Sequence, residues 1–491
     1  MARIYSPRAV WPILATVAMA VAIAGLPLES AALLVLGALG AAVALSDPLG
    51  AAALLVLSVP VQELVTLPGG LTATQAALLL GMASLALHTL ARPEERLDLG
   101  RLFAPLAILL WALALAALLT PYSRAEALRE TTRWATVPLI YLLALRGARG
   151  APWRAWALVV CLLVAPAANA AVGLAQFWFG IGPESFLIGG RARAHGTIGQ
   201  PNSFAGYMNQ GWPLAAGVTL FALAGLATGA SQRAATLALA GAGAALALTG
   251  AALLASFSRG GWVGAAGGGL ALAVATAAML PRGLRALARR LAVAAGAGLV
   301  ALAVLGGGGL LPDAVAGRLG TLAGNLRLFD ARGADINPAN FAVVERMAHL
   351  QAAWHMLERH PLTGVGPGNY SVAYEAPPPA GKGPISVRPW YESRGHAHNY
   401  YLHIAAEAGL VGLAAYLLLI GAVARQAARA ARAARGWAWQ GVAAGGAGVV
   451  GAVAAHNLFE NLHVLNMGLQ LGAIWALLVL AERPGEEEGD S

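Results

Sequence analysis

The sequence predicts an all-α polytopic membrane bundle of about 12–14 transmembrane helices with a helical lid on one face. Three observations predict it. Hydrophobic residues make up 58% of the 491 positions and charged residues only 11%, against roughly 25% charged in ordinary soluble domains. The mean hydropathy of +0.66 leaves too little polar surface to cover a water-soluble body of this size. Apolar runs of near-membrane length recur along the chain, separated by polar or Pro/Gly-rich breaks.

A helix crossing about 30 Å of hydrocarbon needs roughly 20 apolar residues. Such runs lie near 10–27, 30–46, 49–66, 74–91, 103–120, 134–147, 155–179, 204–229, 234–256, 262–280, 291–311, 400–424, 438–457 and 464–481. The first follows Arg3 and Arg8 without a small-residue cleavage site, as an uncleaved signal anchor would. Ala/Gly-rich runs such as "GAAGGGLALAVATAAML" suit lipid because small residues let helices approach closely. The domain reading is therefore 1–311 for helices 1 to 11 with short loops, 312–399 for one large outer loop, 400–482 for the C-terminal spans and 483–491 for an acidic tail.

The net charge of +9 comes almost wholly from arginine, since Lys382 is the only lysine. In a chain this apolar a basic excess marks topogenic loops and excludes nucleic-acid binding as the reading. Arginines 3, 8, 92, 96, 101, 146, 149, 154, 233, 282, 285, 289, 290, 425, 429, 432, 435 and 483 fall on one set of alternate loops and ends, and the other short loops hold only 124, 129, 133, 191, 193 and 259. The positive-inside rule then puts both termini in the cytoplasm. Cys161, the single cysteine, lies in an apolar run and forms no intrachain disulfide.

In the 312–399 loop, "NPANFAVVERMAHLQAAWHMLERHP" places Phe341, Val344, Met347, Leu350 or Gln351, Trp354 and Leu357 at helical spacing, which predicts an amphipathic helix along the membrane face. "GVGPGNY" and "APPPAGKGP" mark loops. An ordered loop of this length is expected to act as a lid or binding element.

Three basic elements face outward in this topology: "RARAHGTIGQPNSFAGY" (191–207), "SFSRGGWVG" (256–264) and "RGHAHNYYLHIAAEAGLVG" (394–412). Arginines at membrane ends commonly snorkel to headgroups. These, however, sit where the chain re-enters the bundle, and their chemistry is complementary. A guanidinium offers a fixed fork of donors matched to phosphate oxygens and stays charged at every relevant pH. A histidine moves protons near neutrality. Together they suit a lipid-linked diphosphate as leaving group and a hydroxyl as acceptor. No HExxH or Asp-x-Asp pattern points to a metal. Glu407 and "HNLFENLH" (456–463) also reach this side, with His456 or Glu460 as a candidate substrate contact.

The set resembles the O-antigen ligase and O-antigen polymerase superfamily of bacterial inner-membrane glycosyltransferases. His398-Asn399, nine residues, then Gly409-Leu410-Val411-Gly412 fits its His-[Asn/Ser/Gln]-x9-Gly-x2-[Gly/Thr/Tyr] pattern, and "ERHPLTGVGPGNY" (358–370), "SRGGWVG" and "RAHGTIGQPNSFAGY" are similar to its other elements. The resemblance implies a metal-independent, inverting enzyme without cofactor that moves a glycan from undecaprenyl diphosphate to a hydroxyl acceptor such as lipid A core, on the periplasmic face of the inner membrane. It implies His398 as base and Arg193 and Arg259 as diphosphate ligands, with Arg191, Asn202, Arg394, His396 and Asn399 as further substrate-binding candidates. Gly409 and Gly412, as small residues on one helix, are expected to permit close helix packing behind the site. A polymerase or a protein O-oligosaccharyltransferase of the same superfamily is the alternative, and a flippase of lipid-linked glycans is the alternative outside it.

Overall fold

The computed structural model describes residues 27–67, 70–188, 190–229, 232–279, 329–337, 340–378, 381, 383–387 and 392–483. The run expected at 10–27, Pro27 apart, the run at 291–311, arginines 282–290, Lys382 and the tail after Arg483 lie outside the described residues.

The chain is an all-α polytopic bundle. Its described helices are α1 (Leu28–Ser46), α2 (Pro48–Ser58), α3 (Ala73–Leu90), α4 (Phe103–Leu119), α5 (Arg124–Gly147), α6 (Trp156–Phe179), α7 (Pro201–Ala227), α8 (Gln232–Ala255), α9 (Arg259–Met279), α10 (Phe341–Arg359), α11 (Tyr370–Glu375), α12 (Tyr400–Ala433), α13 (Gly436–His456) and α14 (Gly468–Glu482). Among the described residues seven helices are long and apolar enough to cross a membrane: α3, α6 with the short turn before it, α7, α8, α9, α12 and α13. A two-residue hairpin pairs β1 (Leu187–Ile188) with β2 (Arg191–Ala192), antiparallel.

Local chemistry sets the helix ends. Thr72 and Gln75 form a reciprocal capping box before α3, Asn399 caps α12 by accepting from the Leu402 amide at 2.9 Å, and Pro201 opens α7, where a missing N–H is harmless. Two expected spans are shorter than their apolar runs. The 49–66 run is helical only to Ser58, because Val59-Pro60 tightens into a 3-10 turn. The 464–481 run starts its helix at Gly468, because Leu465 and Asn466 take left-handed backbone angles. The two shortened ends meet through Gln62, which accepts from Asn466 Nδ2 at 2.8 Å and donates to the Leu465 carbonyl.

Helix α13 is the tightest seam. Its glycines lie against α7 and α9: a Cβ on Gly217 would come within 2.4 Å of the Gly441 carbonyl, and one on Gly267 within 2.9 Å of the Gly451 carbonyl. In lipid, where apolar burial drives little association, such backbone-to-backbone approach supplies the dispersion contact that holds helices together.

The amphipathic helix expected in the outer loop is α10, but its phase differs from the expected stripe. Val344, Met347, Ala348, Ala352, Ala353 and Met356 are buried with His349, whereas Phe341 and Trp354 are exposed. The alanine-rich side permits close docking, so the small residues face the bundle and the large rings turn outward.

Gly409 and Gly412 belong to a helix break. At Gly409 α12 leaves helical geometry (φ 67°, ψ −169°), and the 361–366 segment enters the gap. Val365 and Gly366 amides donate to the Ala406 and Glu407 carbonyls, while Leu410 and Val411 amides donate to Pro361 and Leu362. The backbone groups orphaned by the break are thereby satisfied by another segment. A Cβ on Gly409 would sit 2.2 Å from the Leu362 carbonyl carbon, and one on Gly412 2.2 Å from Ala408 Cβ across the bend. Gly409→Ala is therefore expected to lower stability by at least about 2 kcal/mol from backbone strain alone, read as a fall in thermal midpoint. Gly421→Ala in the same helix, where a Cβ meets nothing within 4 Å, is expected to be neutral or stabilising.

Candidate active site

Two junctions position the site. The Tyr400 amide donates to the Asn457 carbonyl at 2.7 Å and Asn399 Nδ2 to the Leu458 carbonyl at 3.2 Å, which ties the start of α12 to the end of α13. Residues 396–399 thus lie against the turn bearing Glu460. On the other side, Asn169 and Gln176 of α6 hold the 195–197 loop: Gln176 Oε1 accepts from the His195 and Gly196 amides, and Asn169 exchanges hydrogen bonds with Thr197.

Glu460 is 5% exposed and is the hub. His396 Nε2 lies 3.1 Å from its Oε1, and His398 Nδ1 lies 3.8 Å from the same oxygen. Its Oε2 accepts from Asn202 Nδ2 at 3.1 Å. Asn202 Oδ1 in turn accepts from Arg193 at 2.9 Å, and Arg193 Nε donates to the Ser256 carbonyl at 2.7 Å. All three basic elements predicted from the sequence therefore meet: 191–207 through Arg193 and Asn202, 256–264 through Ser256, and 394–412 through His396 and His398.

The histidine tautomers follow from the bonds. His396 Nδ1 accepts from the His398 amide at 3.1 Å, so its proton is on Nε2, facing the carboxylate. Burial drives the His396 ring down to about 3 even against the pull of Glu460. Burial alone would raise the Glu460 carboxyl, but His396, His398 and Arg346 hold it below the usual carboxylate range. The pair is thus a neutral imidazole donating to an anion. His398 itself takes left-handed backbone angles (φ 54°), uncommon outside glycine and characteristic of strained functional positions. Its Nδ1 is buried without a hydrogen bond among the described residues, 3.8 Å from the anion.

Arg259 opens α9 behind Ser258, whose Oγ accepts from the Gly261 amide. Gly260 and Gly261 lie in the first helical turn: a Cβ on Gly260 would sit 3.0 Å from Phe459 Cβ and 3.1 Å from His456 Nε2, and one on Gly261 2.7 Å from Ala205 Cβ. These close approaches set Arg259 beside the Glu460 turn.

The remaining candidates are placed as follows. Arg191 lies over the Phe177 ring, 5.6 Å from its centroid, and is exposed, so the two neighbouring arginines diverge and only Arg193 turns into the network. Arg394 pairs with Glu345 at 2.7 Å and is 60% exposed, while its amide donates to His349 Nε2. Asn399 is engaged in capping and in bridging to Leu458.

Two site residues, His349 and Arg346, went beyond the sequence candidates. The sequence marks Glu460 only as a candidate substrate contact alongside His456, not as the centre of the site; a carboxylate in an apolar stretch is the pattern that marks function in membrane segments. His349 lies near-parallel to both Tyr370 and Tyr374, in a cluster of three rings with centroids 5.3 to 6.5 Å apart, and meets the His398 ring edge-on at 5.8 Å. Arg346, on the same α10, carries a buried Nε with no hydrogen bond among the described residues. Burial pulls its guanidinium below the ordinary value while Glu460 and Glu345 oppose that. A buried guanidinium donor without a hydrogen bond costs free energy, which the attraction of Glu460 and Glu345 offsets. Ligand atoms of His396, His398 and Glu460 also lie within 4.8 Å of one another, donor types able to hold a divalent cation.

Several buried histidines make the fold acid-sensitive. His396 and His463, which stacks on Trp134 at 4.3 Å, are both held down to about 3 by burial. The unfolded chain binds more protons than the folded one between about pH 6.5 and 3, so stability is full above that window and falls as pH drops through it. Thermal midpoints are expected to decline across it, and His463→Phe, which keeps the stack, to lower the proton uptake on unfolding by up to about one.

Residues 244–417 match the family model described as O-antigen ligase. No curated protein matches the chain.

Proposed function

For a multi-pass membrane protein that belongs, through that segment, to the O-antigen ligase and polymerase superfamily, we propose a ligase-type glycosyltransferase. It transfers a glycan from undecaprenyl diphosphate to a hydroxyl of lipid A core at the periplasmic face of a bacterial inner membrane. The observation that carries this reading is the unbroken path Arg193–Asn202–Glu460–His396, with His398 beside it, which joins phosphate-type and proton-transfer groups from three distant parts of the chain. Both termini then lie in the cytoplasm, and α10 and α11 of the outer loop form the lid.

The residues divide the work by their chemistry. Arg193 is held in orientation by Ser256 and Asn202, so its guanidinium is preorganised for an anion. Arg259 and Arg346 approach from α9 and the lid helix. Together they stabilise the charge that collects on the diphosphate as the bond from the sugar's anomeric carbon to its phosphate oxygen breaks. His398 takes the proton of the acceptor hydroxyl as that oxygen bonds the anomeric carbon from the opposite face, so the centre inverts. Glu460, an anion 3.8 Å from His398 Nδ1, stabilises the imidazolium that forms, the electrostatic part of what a carboxylate does behind a catalytic histidine. Asn399 and Arg394 support the local backbone.

The test is transfer by purified protein in lipid nanodiscs, with synthetic undecaprenyl-diphosphate glycan and lipid A core as substrates. The wild type is expected to release undecaprenyl diphosphate and form product with inverted configuration, at a rate unaffected by a chelator. His398→Ala is expected to lose transfer but retain donor binding, and Glu460→Gln to lose roughly 10²–10⁴ in kcat. Arg193→Gln is expected to cost roughly 10²–10³, with Arg191→Gln near neutral. Arg346→Gln is expected to raise the donor KM. Full transfer by His398→Ala, or its abolition by chelation, would remove this mechanism.

A further inference from the structure

A second constellation of arginines lies at the opposite end of the bundle. The end of α4 is on the active-site side, because Thr120 Oγ1 donates to the Val365 carbonyl at 2.5 Å and the Ser123 amide to Asn369 at 2.9 Å. Its start, with the far end of its neighbour α12, therefore lies away from the histidines. Between them runs a groove of about 270 Å³. Leu102, Ala104, Pro105, Ile108, Leu418 and Ala422 form its apolar walls, and Arg101, Arg425, Arg429 and Gln426 its polar ones.

Two features of this groove point to a ligand. Arg425 and Arg429, one helical turn apart on α12, have no ion-pair partner among the described residues, in contrast to Arg101, which pairs with Glu482 at 3.4 Å. Gln426 is 1% exposed, and its Nε2 donates to the Leu478 carbonyl at 3.1 Å and to Glu482 at 2.8 Å. Two acceptors at the nitrogen fix the amide's orientation, and they leave Oε1 as a buried acceptor without a donor among the described residues. The groove thus offers two cations for a phosphate, one orphan acceptor for a hydroxyl, and apolar walls beneath for acyl chains.

We infer that this groove is a binding site for one anionic glycerophospholipid with a hydroxyl-bearing headgroup, phosphatidylglycerol by chemistry. The phosphodiester lies between Arg425 and Arg429, a glycerol hydroxyl donates to Gln426 Oε1, and the chains follow Ile108 and Leu418 along the α4/α12 seam. Charge complementarity favours an anionic over a zwitterionic lipid by roughly 1 kcal/mol per arginine at a membrane surface, a factor of about 30 for two.

The test is native mass spectrometry of the delipidated full chain, offered in turn phosphatidylglycerol, phosphatidylmethanol, phosphatidylcholine and inorganic phosphate. Phosphatidylglycerol is expected to be retained about tenfold to thirtyfold better than phosphatidylcholine, and several-fold better than phosphatidylmethanol, which has the same charge but no headgroup hydroxyl. The R425Q/R429Q double variant is expected to lose that preference with its helical content unchanged. Ile108→Trp, which crowds the groove and leaves every charge in place, is expected to weaken retention as well. Equal retention of phosphatidylcholine, unchanged retention by the double variant, or displacement of the lipid by millimolar phosphate would overturn the assignment. Equal binding of phosphatidylmethanol would remove the role given to Gln426.

Discussion

One buried carboxylate organises the site. Glu460 sits in a turn at the rim of an apolar bundle, where an unpaired anion would be prohibitively costly to desolvate. It is stable there because His396 donates to one oxygen and Asn202 to the other, with His398 and Arg346 adding electrostatic support. Those partners come from three places in the chain: Asn202 from α7, His396 and His398 from the turn that leads into α12, and Arg346 from α10. Satisfying one carboxylate therefore fixes the mutual position of α7, α12, the α13 turn and the lid helix. Such networks are rigid when fully satisfied and expensive when broken, which makes Glu460 as much a fold determinant as a site residue.

The same economy joins the lid to the membrane bundle. Gly409 breaks α12, and 361–366 supplies the hydrogen-bond partners that the broken helix lacks. Glu407, just before the break, accepts from the Gly368 and Tyr370 amides at 2.8 and 3.0 Å and so anchors the start of α11. Across the stacked His349, Tyr370 and Tyr374 rings the lid reaches the edge of His398. The spacing of nine residues between Asn399 and Gly409 is thus the length of helix needed to run from the capped entry at the site to the point where the 361–366 segment inserts.

Much of this was legible in the sequence, for identifiable reasons. Composition and run length are one-dimensional properties that the bilayer enforces directly, so α3, α4, α6 to α9 and α13 lie close to where the apolar runs put them. The short ends of α2 and α14 were not, because the break depends on Pro60 and on left-handed Leu465 and Asn466, and apolarity continues past both. Arg193, Arg259 and His398 stood out as basic side chains at re-entry points. The choice between Arg191 and Arg193 was not encoded in spacing, since it depends on which side chain the loop turns toward Asn202 and which over Phe177. The central place of Glu460 and any role for Arg346 were hidden because their significance is relational: each becomes conspicuous only when its neighbours show an anion shielded from solvent and a guanidinium whose buried Nε has no hydrogen bond among the described residues. The glycines of the His-Asn-x9-Gly-x2-Gly pattern looked like helix-packing positions, and only the backbone angles show a break.

The most direct measurement is a cryo-electron microscopy map of the full chain in lipid nanodiscs with a non-hydrolysable lipid diphosphate donor. Phosphate density bridged by Arg193 and Arg259, within reach of Arg346, with His398 facing the sugar and Glu460 still bonded to His396, is the result predicted. Diphosphate density away from these arginines, or Glu460 turned from both histidines with donor bound, would contradict the account.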